Sequence, residues 1–542
     1  MILRPSAALA KAVSAGSGVR VLAGSGVVKP FSPTVLARLA KAVHAWGLGP
    51  AGGFTMLATR YPDRVGIVDE LGEITYGEIH RRTNVLARAL AARGVGEGDG
   101  VAVMCRNHRG FVEATVAIAK LGADALYLNT AFAGPQLVDV LAREKPRVVI
   151  HDEEFTGLLA GAEIEQRVIA WTDSEAPSLQ AETLDALATD GDDRDLTSPS
   201  RHGRIIILTS GTTGTPKGAP RNEAGIDAAI SLLSRMPLKE GWRTHIAAPL
   251  FHTWGFAHLM LAMLLGSTMV LRRRFDPAEA LEVTQGCDSL VVIPVMLQRM
   301  LTVEGSFDLS SLQVVASSGS ALPGDLALEW MDRFGENLYN IYGSTEVAYA
   351  SIATPGDLRS APTSAGKPPW GTVVRILDPV GREVPPGEPG RIFVGNSLLF
   401  EGYTGGGAKE VVDGLMSSGD VGRFDAEGRL YVEGRDDEMI VSGGENVFPK
   451  EVEDCLARHP DVVEVACVGV DDPEFGKRLR AFVVVSGEAG EDDLKGWVKD
   501  HLARFKVPRE IVVLPELPRN ATGKVLKREL LDWLDTAGEG TA

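Results

Sequence analysis

Apolar and polar positions change period along this chain, and the changes mark its elements. From Thr75, the stretch TYGEIHRRTNVLARALAARG puts Ile79, Val85, Leu86 and Leu90 on one face of a 3.6-residue period, which predicts a helix. Thr75 and Glu78 have capping-box spacing at its start, and Gly94 supplies the stop. VAVMC (101–105) has no polar alternation and predicts a strand buried on both faces. A second helical pattern runs from Glu113 to Leu121, and RVVI (147–150), III (205–207), HIAAP and SLVVIP read as further strands. Helices alternating with short, continuously apolar strands predict a parallel sheet covered on both sides. The longest apolar stretch, 256–271, contains His258 and ends at Arg272. It is shorter than the roughly 20 residues needed to span a bilayer, so it predicts a buried helix running into a strand.

Further on, the punctuation differs. PVGREVPPGEPGRIFV (379–394) breaks into short strands between prolines and glycines, predicting a smaller β-rich subdomain. A compositional break at 433–453 precedes a last set of helix, strand and helix patterns, and no internal repeat is present. The acidic stretch 188–200 predicts a surface loop leading into the strand that ends near Leu208.

With 542 residues, 44% apolar and 23% charged, the chain has the composition of a globular protein of two or three domains. Its net charge of −17 argues against a general nucleic-acid binder, so any anion must be held locally, by glycine-rich backbone and single cations. Four scattered cysteines, without CxxC spacing or neighbouring histidines, suggest neither a disulfide framework nor a zinc site and favour a reducing, cytoplasmic setting. The first 62 residues contrast with the rest: they hold Arg4, Lys11, Arg20, Lys29, Arg38, Lys41 and Arg60 and no acidic residue. Three readings are open: an export or transit peptide, a membrane-surface anchor giving weak peripheral contact, and a helical arm packed on the body, which is preferred because charges interrupt every apolar run.

The densest candidate chemistry is LTSGTTGTPKGAP (208–220), directly after the apolar run 205–207. It is no Walker loop, because Pro216 precedes Lys217 and Gly218 follows it, and it lacks the GxGxxG spacing of a dinucleotide site. Glycines that bring backbone N–H groups close to an anion, hydroxyl donors and one lysine still favour phosphate. A second block, NIYGSTEVA (340–348), offers an aromatic plane for a base and a carboxylate for a hard cation.

These two blocks, with SSGSALP (317–323), SSGDVGRFDAEGRLYVEGR (417–435), GGENVFPKEVE (443–453) and LPRNATGKVLKREL (517–530) in the same order, resemble the signatures of the adenylate-forming superfamily of acyl-CoA synthetases, luciferases and peptide-synthetase adenylation domains. The resemblance covers the chain from about Phe54 to Leu530 and implies an α/β fold: a large N-terminal domain of parallel-sheet αβ layers plus a β-rich subdomain, and a small mobile α+β C-terminal domain. The expected division is 1–53 for the basic arm, 54–435 for the large AMP-binding domain, 436–437 for a hinge at Asp437, and 438–542 for the small domain.

What the resemblance implies for single residues is specific. Thr209, Ser210, Gly211, Thr212, Thr213, Gly214 and Lys217 would face the β- and γ-phosphates of ATP. Gly319, Ser320, Ala321, Asn340, Tyr342 and Gly343 would border adenine, Thr345 would meet the α-phosphate, and Glu346 would hold Mg²⁺. Asp420 and Arg435 would hold the ribose, Gly443 and Gly444 would leave room for the pantetheine arm of coenzyme A, and Lys524 would be the catalytic lysine. Many relatives have two adjacent glycines where this chain has Ser318-Gly319. In APLFHTWGF (248–256), His252 reads as a group facing the carboxylate, with a core histidine as the alternative, and Trp254 as a pocket gate or plain core. Val291–Leu301, with Val295, reads with Ser318 as pocket wall, favouring a hydrophobic, fatty acid. The implied activity is ATP-dependent acyl-CoA synthesis through an acyl-adenylate. A stand-alone enzyme loading a carrier-protein thiol and a non-catalytic nucleotide-binding protein are the alternatives. Partners are then the acid, ATP and coenzyme A, with a homodimer left open.

Overall fold

The computed structural model describes residues 7–132, 134–173, 182–209, 217–221, 225–344, 346–399, 409–436, 440–442, 445–472, 476–520 and 523–531. Two largely parallel sheets make up the bulk. One has eight strands, running Ser351–Ala353, Leu338–Tyr342, Val314–Ser317, Ser289–Val292, Arg243–Ile246, Thr268–Val270, Val65–Asp69 and Gly72–Thr75 in spatial order; only the pairings at its two edges are antiparallel. The other has six, from Gln166–Trp171 through Val148–Asp152, Gly100–Met104, Asp124–Tyr127 and Ile205–Thr209 to an antiparallel edge at Lys217–Arg221. The apolar runs behave as expected of strands covered on both faces: Val101 to Cys105 and Leu290 to Val292 are fully or almost fully buried.

A single large apolar cluster spans both sheets, joining Ile67 and Ile246 of one to Val101 and Ile150 of the other through helices Tyr76–Ala92, Arg109–Lys120 and Thr253–Leu265. The helix expected from Thr75 is Tyr76–Ala92: Thr75 Oγ1 accepts the Glu78 N–H at 3.2 Å, and Gly94 follows the C-cap with φ of +81°. The long apolar stretch is helix Thr253–Leu265, closed by left-handed Gly266, and strand Thr268–Val270. No helix among the described residues is long and apolar enough to cross a membrane.

Polar groups inside this core are matched. His108 uses both ring nitrogens, Nε2 against Asp152 at 2.8 Å and Nδ1 accepting the Gly110 N–H at 3.0 Å, and so caps helix Arg109–Lys120. With both nitrogens engaged, the buried Cys105, His108 and Asp152 group is a structural lock. All four cysteines are buried free thiols.

The β-rich subdomain is a five-stranded antiparallel sheet built from Val373–Leu377, Gly390–Gly395, Val411–Val412, Leu415–Phe424 and Leu430–Arg435. A separate sheet of Ile440–Ser442, Glu445–Val447, Val462–Asp472, Gly476–Val485 and Glu510–Val513, backed by helices Pro449–Leu456 and Glu491–His501, has its own apolar core. The basic N-terminal segment forms helices Ala7–Ser25 and Pro33–Trp46. The first is tied to the body: Trp370 Nε1 donates to Ser17 Oγ at 2.8 Å, and Leu22 is buried in a cluster with Ile230 and Leu265. The second has one buried residue, Ala42, and exposes Leu36 and Val43.

Arg82 joins helix Tyr76–Ala92 to Glu113 of helix Arg109–Lys120 through Nε at 2.6 Å and Nη2 at 3.3 Å, and Glu113 is only 1% exposed. Burial pushes the Glu113 carboxyl up, opposed chiefly by the Arg82 guanidinium and also by the charge of Arg109. Glu113→Ala should therefore lower stability by about 3 kcal/mol, the cost of leaving half of a buried pair, read as a lower urea midpoint at unchanged slope.

Candidate active site

Four neighbouring parallel strands bring the site together. Ile246 pairs with Val291, Val292 with Ser317, and Ser317 with Asn340, so the chains leaving these strands emerge side by side at one sheet end. The first leads to His252 and Trp254, the second to Ile293 and Val295, the third to Ser318 through Ala321, and the fourth to Gly343 and Glu346.

Close backbone contacts fix these loops. Ser318 Oγ donates to Ile341 O at 2.8 Å, stitching the third loop to the fourth strand. Gly319 adopts φ of +96°, which favours glycine, and a Cβ there would lie 3.2 Å from Ile293 Cγ2. A Cβ on Gly343 would overlap Ala348 O, and Ala348 itself sits at φ of +60°, so the turn carrying Glu346 closes on itself at the expense of some backbone strain. Asn340 Oδ1 is buried and has no hydrogen-bond partner, and Asn340 lines the cavity beside Tyr342. An orphaned amide oxygen at this place suits the exocyclic amine of a purine.

The β-rich sheet supplies the second wall. Tyr342 donates its hydroxyl to Asp420 Oδ2 and lies 3.1 Å from Ser418 Oγ, while Arg435 Nη1 stands 3.4 Å from Asp420 Oδ1. Burial pushes the Asp420 carboxyl up, against the Tyr342 hydrogen bond and the Arg435 charge. Burial and the adjacent Asp420 push the Tyr342 phenol well above its ordinary range, which keeps it a neutral donor.

The small domain closes the third side. Lys524 lines the same cavity as Ser320, Tyr342, Glu346, Asp420 and Arg435, a cavity of about 2530 Å³. Its backbone is held by Asn520: Oδ1 accepts the Lys524 N–H and the Asn520 N–H reaches Lys524 O, both at 2.9 Å. A Cβ on Gly523 would fall 2.6 Å from Val295 Cγ1, so the lysine loop lies directly against the large domain. Val295 therefore does not line the acyl cavity as its sequence suggests; its side chain is taken up by the seam between domains.

His252 and Trp254 do line the cavity. Trp254 Nε1 donates to Val292 O at 3.0 Å and its ring meets His258 edge-on, so it is pinned as a wall. Burial lowers the His252 imidazole to about 4 and leaves its Nε2 without a protein partner; at neutral pH it is an uncharged ring, able to exchange a hydrogen bond but not a charge. Gly319, Ser320, Ala321 and Ser318 also line the cavity. Thr345, Asp437, Gly443, Gly444 and Ser210 to Gly214 lie outside the described residues, as do the side chains of Thr209 and Lys217. The backbone nonetheless brackets that loop, because Thr209 pairs with Lys217 at the end of an antiparallel ladder. The Tyr342–Asp420 bond and the docking of Gly523 on Val295 were not legible in sequence, since each joins segments far apart in the chain, and the orphaned amide oxygen of Asn340 depends on the packing around it.

Residues 54–404 match the AMP-binding enzyme family, and 451–524 match the AMP-binding enzyme C-terminal domain. The chain belongs to the AMP-binding enzyme family. It is 35% identical over 469 residues to a feruloyl-CoA synthase from an Amycolatopsis species, covering 84% of this chain and 93% of that one. It is 30% identical to the fatty acid–[acyl-carrier-protein] ligase ScoC of Streptomyces coeruleorubidus, covering 89% and 96%. Among solved structures, the anthranilate CoA ligase AuaEII in complex with anthranoyl-AMP superposes with a TM-score of 0.80 at 26% identity, covering 90% of this chain and 98% of that one. This AMP-binding enzyme is thus an acid–thiol ligase of the AMP-forming type, drawing on ATP, Mg²⁺ and coenzyme A.

Asp420, paired with both Tyr342 and Arg435, is a carboxylate fixed in the cavity beside the expected nucleoside site. Asp420→Asn should raise the KM for ATP roughly 10- to 100-fold, the worth of one hydrogen bond to a charged group, and leave the KM for the acid nearly unchanged. Pyrophosphate release titrated separately with each substrate checks this.

Proposed function

We propose that this enzyme activates an apolar acid with an extended tail, a fatty acid, as its acyl-adenylate and passes the acyl group to coenzyme A. The observation that carries this reading is the apolar lining of the cavity. From the polar end at Ser320, Tyr342 and Lys524 it continues along helix Thr253–Leu265, one side of which, from Thr253 to Leu264, forms its wall. The eleven residue-to-residue steps from Thr253 to Leu264, at a helical rise of 1.5 Å, give that apolar branch a length of about 16 Å, more than a single ring needs. Curated relatives include ligases named for feruloyl, 2-succinylbenzoate and indoleacetate as well as one named for fatty acids, so an aromatic acid is the competing substrate class.

A carboxylate is a poor acyl donor because its leaving group would be oxide. Attack of the carboxylate oxygen on the α-phosphorus of ATP forms the acyl–phosphate bond and expels pyrophosphate. Catalysis of that step is positioning and charge neutralisation. Lys524 places its ammonium beside the developing charge, and Glu346 would hold Mg²⁺, which offsets the phosphate charge. Tyr342, Asp420 and Arg435 fix the nucleoside, and the 208–220 loop would hold the departing pyrophosphate. Neutral His252 bounds the acid's entry to this centre without adding a charge to it.

The second half-reaction needs a thiol where Lys524 now lies. We assign the exchange to rotation of the small domain about Asp437, bringing the Gly443-Gly444 segment to the adenylate. In support, the large domain is tied down through Asp436, whose N–H donates to Gly419 O at 3.0 Å and whose carboxylate accepts Arg391 Nε at 2.9 Å. The thiolate then attacks the carbonyl carbon, and AMP leaves with the electron pair of the broken C–O bond.

Lys524→Ala should slow acid-dependent pyrophosphate release roughly 10²- to 10³-fold while largely sparing thioester formation from supplied acyl-adenylate; equal loss of both half-reactions in the folded variant would sink the division of labour. A panel of straight-chain and aromatic acids, with coenzyme A and a phosphopantetheinylated carrier protein as acceptors, tests substrate and acceptor together. Preference for an aromatic acid or for the carrier overturns the corresponding part of the reading.

A further inference from the structure

The AMP-binding family match begins at Phe54, yet the cavity wall includes Trp46, Leu48, Pro50, Ala51 and Gly53, which precede it. They are the end of helix Pro33–Trp46, the link after it and the first turn of helix Pro50–Arg60, and they share the cavity wall with Met260, Met263 and Leu264 at the far end of helix Thr253–Leu265. The closest approach is at Gly53. A Cβ there would overlap the Met263 thioether, with even Met263 Cγ only 2.7 Å away. Glycine is the poorest helix former after proline, and Gly53 lies inside a helix with φ in the ordinary range, so its backbone does not require it. What requires it is the methionine, whose flexible side chain occupies the volume a residue at 53 would otherwise fill. Met263 is 5% exposed and packed into the core on its remaining sides, which leaves the cavity as the direction in which it can yield.

We infer that the N-terminal arm sets the length of acid this enzyme accepts, with Gly53 and Met263 as the pair that meets the tail's distal end. The inference rests on the tail-bearing substrate proposed above and adds to it a specificity element that precedes the residues of the family match. Filling Gly53 drives Met263 inward and shortens the branch; trimming Met263 deepens it.

The test is pyrophosphate release by the full-length chain with hexanoate, decanoate, tetradecanoate and octadecanoate, read as kcat/KM for each acid. Gly53→Val should shift the optimum to shorter acids, with losses of about tenfold for each methylene no longer accommodated. Met263→Ala should shift it to longer acids, and the double variant should return toward the wild-type profile. Opposed shifts of this kind cannot come from a general loss of fold, and if Gly53→Val does not fold, Met263→Ala alone decides. Variants that scale all four acids by one factor, or leave the profile unchanged, overturn the arm's role while the proposed function stands. A wild-type enzyme inactive on every straight-chain acid but active on aromatic ones overturns the proposed function itself.

Discussion

The site depends on the in-register parallel pairing of four adjacent strands. Because Ile246, Val291 and Val292, Ser317 and Asn340 share hydrogen-bonded neighbours, the segments that follow them are delivered to one end of the sheet within side-chain reach of each other. No single strand carries enough chemistry to bind a nucleotide. A parallel ladder aligns His252, Ser318, Gly343 and Glu346 although they are spread over nearly a hundred positions of sequence. The ladder in turn depends on strands covered on both faces, which is why Leu290 through Val292 and Val314 through Ala316 carry no exposed polar side chain.

Sequence made the layers legible because burial on both faces leaves continuous apolar runs, and helix periods separate them. It made much of the candidate site legible because glycine-rich, hydroxyl-rich turns have little reason to follow buried strands unless something anionic sits there. What sequence could not supply was contact between distant segments. Tyr342 reads as an aromatic plane, but its hydroxyl is committed to Asp420, seventy-eight residues on. Val295 reads as an acyl wall because it is apolar and near the pocket, but the approach of Gly523 claims it. Trp254 reads as a gate as easily as core, and only the bond from its indole N–H to Val292 O shows that it is held.

The N-terminal segment shows the same limit from the other side. Its missing acidic residues leave three readings open and its broken apolar runs favour a packed arm, and Trp370, Ser17 and Leu22 anchor the first helix to the body. Neither charge nor period indicates that the end of the second helix and the start of helix Pro50–Arg60 face the cavity. At Gly53 the closeness of that approach shows as a volume argument, a glycine opposite a methionine, which has no signature in one sequence.

The way the lysine loop is braced bears on how one chain can host two reactions. Its strongest contacts are internal to the small domain: Asn520 holds Lys524 from both sides, Arg519 donates to Gly523 O, and the same Arg519 is paired with Glu464 at 2.9 Å. Across the seam to the large domain, the described residues show the close approach of Gly523 to Val295 and, from the neighbouring strand, a 3.2 Å bond from Gln298 Nε2 to Val463 O. A loop braced within its own domain can leave and return with its geometry intact, since the bonds from Asn520 to Lys524 and from Arg519 to Gly523 travel with it. Were the bracing reversed, with Lys524 ordered by the large domain, withdrawal would disorder it and each return would repeat the entropy cost of ordering it. The glycine at 523 completes the logic: with φ of +75° and Val295 against it, it allows a near-flat contact that can separate without interlocked side chains.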